Sequence, residues 1–189
     1  MEAIKDIPQT VDTLIIRFAT HIDLARISHV AQVTWDDTYS DTIAVENRRD
    51  FLSSSYNPTN LAEAIDTSGH WFYVAEMDDK VIGFGHFIRR YHPTQGRAEL
   101  IRFYVLPDYQ NMGIGRSLLN MGFSGLTQAA IKQCSVSVQA TNHRARRLYE
   151  RHGFVYYRKH GQFLGTQIVT LAQYIRPVTN MDLINSHNQ

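Results

Sequence analysis

Thiol chemistry is nearly absent from this 189-residue chain, whose one cysteine, Cys134, has no second cysteine to pair with. An internal disulfide is excluded, and one Cys beside scattered His does not make a structural zinc site. A reducing, cytoplasmic setting without a metal is the expectation. Excess charge of one sign is also missing. Lys plus Arg number 19 against 18 Asp plus Glu, a formal net charge of +1. Such a chain has no bulk basic surface to neutralise a phosphate backbone, so nucleic acid is not an expected partner. Long hydrophobic runs are lacking too: no stretch reaches the roughly 18 apolar residues of a membrane span. The opening MEAIKDIPQT has acidic residues and a proline where a secretory signal needs a basic start and an apolar stretch. Neither export by such a signal nor a membrane partner is expected. With 43% hydrophobic residues, 11 glycines and 5 prolines, the composition is that of a globular domain, and the length suits one domain with a substantial core.

The apolar run from Thr13 to Phe18 predicts a strand, and Leu24, Ile27, Val30, Ala31 and Val33 predict a helix leading to Trp35. Two shorter helices are expected between Asp41 and Asp66, separated by Tyr56-Asn57-Pro58, the second capped by Thr59 or Asn60. Trp71 to Met77 and Val81 to Ile88 form a hairpin about Asp78-Asp79. A strand from Ala98 to Leu106 stops at Pro107-Asp108, a helix follows from about Gly113 to Ala130, and Ser135 to Gln139 is a short strand. Asn142 caps another helix, which Gly153 ends. Phe154 to Leu164 and Gln167 to Ile175 close as a hairpin about Gly165-Thr166. One α/β (α+β) domain over residues 1–175 is predicted, with 176–189 as a loosely held polar tail.

The most informative stretch runs from Val105 through Leu106-Pro107-Asp108-Tyr109-Gln110-Asn111-Met112-Gly113-Ile114-Gly115 to Arg116, joining a strand to a helix through glycines. Missing Cβ atoms at Gly113 and Gly115 let an anion approach the backbone, and the first N–H groups of the helix are unpaired donors at its positive end. Two phosphates fit such a turn, with Arg116 adding a contact. The same glycines also suit close packing at an ordinary helix start, and the spacing alone leaves both readings open. A P-loop is excluded because Arg116 stands where Lys is required, and a dinucleotide fingerprint because Leu118 replaces its third Gly.

The text V-x-P-x-x-Q-x-x-G-x-G closely resembles the acetyl-CoA motif of the GNAT acetyltransferase superfamily. Ala98-Glu99-Leu100 ahead of it agrees, and Asn142 to Phe154, N-x-x-A-x-x-L-Y-x-x-x-G-F, is similar to the family's second cofactor segment. The resemblance implies a mixed, mostly antiparallel sheet of about seven strands flanked by four or five helices. It also implies acetyl-CoA as co-substrate, its pyrophosphate on the backbone of Gln110, Asn111, Met112, Gly113, Ile114, Gly115 and Arg116. Pantetheine would run along Phe103, Tyr104 and Val105, where that strand splays from its neighbour at Ser135 to Gln139. Asn142 matches a position whose side chain contacts the cofactor; it also reads as a plain helix cap. Arg116, Arg144, Arg146 and Arg147 gather around the implied phosphates.

Tyr149 matches the tyrosine that many relatives use as general acid for the departing thiolate. A thiol near pKa 8.5 is within reach of a phenol near 10, but the residue also reads as core packing. The acceptor amine must first lose a proton, which at pH 7 costs roughly 4–5 kcal/mol for an ammonium near pKa 10.4. Glu99 stands where some members keep a catalytic glutamate. It shares a face with Phe103 and Val105 only if no bulge intervenes, and a bulge is expected there. His86 is the second candidate base, by its ordinary pKa.

On the acceptor side, Trp35-Asp36-Asp37-Thr38-Tyr39 resembles the N-terminal helical region of bacterial polyamine acetyltransferases. Trp35, Asp36 and Tyr39 are the candidate substrate contacts, since acids beside aromatics suit a cationic amine; Trp35 and Tyr39 equally suit core packing. Tyr91-His92-Pro93 is a candidate border of the cleft, and Cys134 a small buried hydrophobe. A small cationic amine such as a polyamine is the expected acceptor. A protein or peptide amine, or a non-catalytic acyl-CoA-binding module, is the alternative. Relatives often form dimers, so a homodimer is a further expectation.

Overall fold

The computed structural model describes residues 13–90 and 96–184. Seven strands form one sheet in the order β1-β2-β3-β4-β5-β7-β6. These are β1 (Ile15–Phe18), β2 (His70–Met77), β3 (Lys80–Arg90), β4 (Arg97–Val105), β5 (Gln133–Gln139), β6 (Val155–Leu164) and β7 (Gln167–Pro177). Only the β4–β5 pair is parallel. Parallel neighbours need a crossover, and a helix supplies it here.

Helices α1 (Leu24–Tyr39), α2 (Val45–Ser55) and α3 (Pro58–Asp66) follow β1. On one face of the sheet Ile27, Val30 and Leu61 from α1 and α3 pack on Phe72, Val74 and Phe84. Helix α4 (Ile114–Gln128) is the β4–β5 crossover and covers the other face, its Leu118, Leu119 and Phe123 against Phe87, Leu100 and Val136. Gly122 is required there, because a Cβ would sit 2.2 Å from the Phe87 ring. Helix α5 (His143–Arg151) precedes β6.

Three expectations are corrected. Helix α3 is capped by Asn57, whose side-chain oxygen accepts from the Asn60 N–H at 2.9 Å with Pro58 at the first helical position, and not by Thr59 or Asn60. The expected hairpin turn at Asp78-Asp79 is present, both residues having positive φ of 49° and 59°, but its strands reach further, to His70 and Arg90. The boundary at residue 175 falls inside β7, and residues 176–184 are docked: Val178 is buried, and Arg176 pairs with the buried Asp182 in a short helix α6 (Met181–Ile184) packed near α4.

Candidate active site

Strand β4 decides the site. Its register against β3 slips between His86 and Phe87, since His86 pairs with Arg102 and Phe87 with Leu100, leaving Ile101 as an extra residue. A one-residue bulge flips the side chains beyond it. Ala98 and Leu100 before the bulge and Phe103 and Val105 after it therefore share the α4 face. Glu99 lies on the other face, with Arg102 and Tyr104. Pairing between β4 and β5 also ends at Leu100 and Val136. Beyond that point the two strands diverge, and the backbone of β4 faces open space.

The opening is one wall of a cavity of about 1320 Å³. At one end lies the turn from Pro107 to Gly113. Gln110 anchors it, its Nε2 donating to the Val105 carbonyl at 2.7 Å, and Gly113 has the positive φ of 84° that a side chain resists. The backbone N–H groups of residues 111–116 find no backbone partner among the described residues. They form a fan of donors at the positive end of α4, augmented by the exposed side chains of Arg116, Arg144, Arg147 and Arg151 on the cavity wall, which have no ion pair among the described residues. Arg146 does not join them; it donates to the Tyr174 hydroxyl at 2.8 Å and the Ala140 carbonyl at 3.0 Å. Arg151 takes its place. These groups fit a polyphosphate, and the splayed β4 edge fits an amide-bearing arm.

Tyr149 stands where the splay meets α5. Its ring is 4% exposed, between Phe103 and Phe154 with centroids 6.2 and 5.5 Å away, and it borders the cavity. Burial pushes its phenol well above the ordinary value, with Tyr39, Tyr104 and Cys134 adding smaller effects, so it keeps its proton. Asn142 caps α5, accepting from the Ala145 N–H at 3.0 Å, and also borders the cavity. The helix-cap reading of that residue is met, and its place on the wall leaves the side chain open to a cofactor contact. Phe103, Tyr104 and Val105 all line the cavity, as do Gln110, Asn111, Gly113, Gly115 and Arg116. Met112 is exposed on the turn and Ile114 is buried beneath it, so these two contribute backbone alone.

Glu99 borders the cavity with a side chain 17% exposed, and Arg90 donates to its Oε2 through Nε at 2.6 Å and through Nη2. His86 is 1% exposed and is not on the cavity wall. Its Nδ1 accepts from Arg102 at 3.3 Å and its Nε2 meets His70 Nδ1 at 3.2 Å. Burial, then Arg102 and His70, hold it well below its ordinary pKa. An imidazole with both nitrogens engaged and away from the wall suits a structural support better than the second candidate base.

The far end is aromatic. Trp35 stacks on Phe51 at 4.4 Å and meets the tilted Tyr39 ring at 4.8 Å, and its Nε1 donates to the Tyr104 hydroxyl at 3.0 Å. Trp35 is at once buried core and cavity wall. The β6–β7 hairpin closes this end. Leu164 and Val169 pack on Trp35 and Ile43, and the Asn47 Oδ1 accepts from the Thr166 N–H at 3.3 Å. Asp36 is corrected: it is not on the wall, its side chain is 56% exposed, and it faces Arg48 at 3.5 Å. One helical step beyond, Asp37 is at the rim. Tyr91-His92-Pro93 lies outside the described residues, and Cys134 is buried as expected. Sequence reasoning passed over Arg102, Tyr56 and Arg151. The charge of Arg102 inside an apolar strand was the available signal.

Comparison with known proteins agrees with this geometry. Residues 30–154 match the model of the acetyltransferase (GNAT) family. The chain is 26% identical over 136 residues to the spermidine N(1)-acetyltransferase of Thermoplasma acidophilum, covering 70% of this chain and 82% of that protein. It is 26% identical over 136 residues to the mycothiol acetyltransferase of Propionibacterium freudenreichii subsp. shermanii, covering 69% of this chain but 38% of that longer protein. In fold it is similar to the PaiA N-acetyltransferase of Thermoplasma acidophilum in complex with coenzyme A, with a TM-score of 0.73, 22% identity and coverage of 87% and 99% of the two chains. The ribosomal-protein-S18-alanine N-acetyltransferase of Escherichia coli follows at 0.68, with 19% identity and coverage of 88% and 95%.

Proposed function

The chain belongs to the GNAT acetyltransferase family, and from that premise we propose that it moves an acetyl group from acetyl-CoA to a primary amine by direct attack in a ternary complex. One observation carries the reading: a single cavity runs from a fan of unpaired N–H groups and arginines, along the splayed edge of β4, to a protonated Tyr149. The turn from Gln110 to Arg116 holds the pyrophosphate, and β4 from Phe103 to Val105 holds the pantetheine. Backbone N–H groups exposed by the splay face the thioester oxygen, which becomes anionic on attack; such a donor is worth about 3–4 kcal/mol. Glu99 takes the amine's proton, directly or through water, and Tyr149 gives its proton to the departing thiolate. Trp35 and Tyr39 wall the acceptor.

A polyamine acceptor is a second reading, favoured by Asp37 at the rim and by the spermidine acetyltransferase among the relatives. Release of free thiol from acetyl-CoA, followed across spermidine, spermine, simple amines and a Lys peptide, tests the proposal. Amine-dependent release supports it. Tight CoA binding with no release by any acceptor would leave an acyl-CoA-binding module in its place.

A further inference from the structure

Among the described residues, the acceptor end offers a polycation a single free carboxylate. Asp36 turns away to Arg48, and Arg90 engages Glu99, so Asp37 is the remaining cavity carboxylate without an ion pair among the described residues. Arg102 has the opposite sign. It lines the cavity and forms no ion pair among the described residues. Its Nη2 donates to the Ser55 carbonyl at 3.0 Å, its Nη1 to His86, and its guanidinium carbon lies 5.0 Å from the Tyr56 ring centre. A guanidinium has five N–H donors, so several stay uncommitted. Beside it, Tyr56 is 2% exposed and also lines the cavity; its buried hydroxyl makes no well-formed hydrogen bond among the described residues, with Tyr104 and Arg102 as its polar neighbours. Burial pushes that phenol up to about 12, which keeps it a donor.

A partly buried guanidinium with no carboxylate to neutralise it, beside a buried phenol held by no well-formed hydrogen bond, leaves donors on one wall that a ligand can engage. An oxyanion satisfies both. We infer that Arg102 and Tyr56 form an anion subsite, and that the acceptor is a primary amine that also carries a carboxylate, its apolar body resting on Trp35 and Phe51. The inference rests on the acetyl-transfer reading for the amine, while the subsite itself stands on Arg102 and Tyr56 alone. Neutral His86, buried under Arg102 and stacked 4.5 Å from Phe72, positions the guanidinium.

The test uses matched acceptors: phenylalanine against phenethylamine, and 6-aminohexanoate against pentylamine, with spermidine alongside. In thiol release, at least one carboxylated member exceeds its decarboxylated partner and spermidine by about tenfold or more in kcat/KM, the scale of a charged hydrogen bond. Arg102→Gln and Tyr56→Phe each cut that preference about tenfold through KM, and Arg102→Lys restores part of it. Calorimetry of 3-phenylpropionate with the CoA-loaded protein reads the subsite without turnover: the acid binds the unaltered protein and is lost in Arg102→Gln. Should that variant fail to fold, Tyr56→Phe keeps the ring in place and carries the comparison. Preference for spermidine or the decarboxylated amines, or equal acid binding by the unaltered protein and the variants, overturns the subsite and leaves acetyl transfer standing. Acid binding that depends on Arg102, with no release by any amine, supports the subsite and removes the transfer reading.

Discussion

Replacing Tyr149 by Phe removes one hydroxyl and little else. The ring sits between Phe103 and Phe154, and both contacts survive the change. No protein hydrogen bond is lost, because the hydroxyl has no partner among the described residues, so stability should move by less than about 0.5 kcal/mol. The chemical cost is larger. A thiolate of ordinary pKa near 8.5 must take a proton from a phenol near 10, an uphill step of about 2 kcal/mol. Burial raises the phenol further, but the same dry surroundings raise the departing thiol, so the gap does not open by the phenol's whole shift. A positioned acid is worth roughly 100- to 10,000-fold, and an uphill transfer belongs at the low end. The expected loss is about 100-fold in kcat, or about 2.7 kcal/mol. Thiol release at saturating amine measures it, with CoA affinity followed by calorimetry and expected to hold within about twofold. A kcat within about threefold of the unaltered protein refutes the assignment. An equal loss of kcat and CoA affinity makes Tyr149 a packing residue.

Other perturbations read other parts of the site. Gly113→Ala meets no neighbour within 4 Å, so its cost is backbone strain at φ 84°, about 1–2 kcal/mol, seen as a lowered Tm and a smaller Tm rise on adding CoA. Arg144→Gln and Arg147→Gln should each weaken CoA binding several-fold at low salt and less at high salt, since both side chains are exposed. Gly122→Ala drives a methyl into the Phe87 ring and should cost about 1–3 kcal/mol in denaturant unfolding, with the site's chemistry intact once folded. For His86, the folded pKa is depressed, so on acidification the unfolded chain takes a proton that the folded one refuses. Stability should fall as pH drops below about 6.5, by up to about 1.4 kcal/mol per pH unit. A stability profile from pH 7.5 to 5 that His86→Gln does not flatten would assign the decline to other groups.

Much of the cofactor half was legible before any coordinates. The glycine turn, the Asn142 cap and Tyr149 are each specified by near neighbours in the chain, and the order of strands and helices followed from period and turn chemistry. The acceptor half was not legible to the same degree. Its wall is assembled from α1, α2, the C-terminal half of β4 and the β6–β7 hairpin, and α2 and the hairpin meet across the chain through contacts such as Asn47 with Thr166, 119 residues apart. Asp36 and Asp37 are indistinguishable by composition, and one helical step of rotation sends the first to Arg48 and the second to the rim.

By itself the sequence determined the order of the elements and a glycine turn opening α4, because each depends on the conformational preferences of a few consecutive residues. Only the tertiary structure decided which side chains face one another. The extra residue at Ile101 sets Glu99 on the Arg102 face and Phe103 on the other, and the parting of β4 from β5 after Leu100 opens the cavity. Packing of α2 and α3 against β3 and β4 buries Tyr56, with no well-formed hydrogen bond among the described residues, beside a guanidinium without a carboxylate. Each outcome turns on register and long-range burial, and local residue preferences carry no information about either.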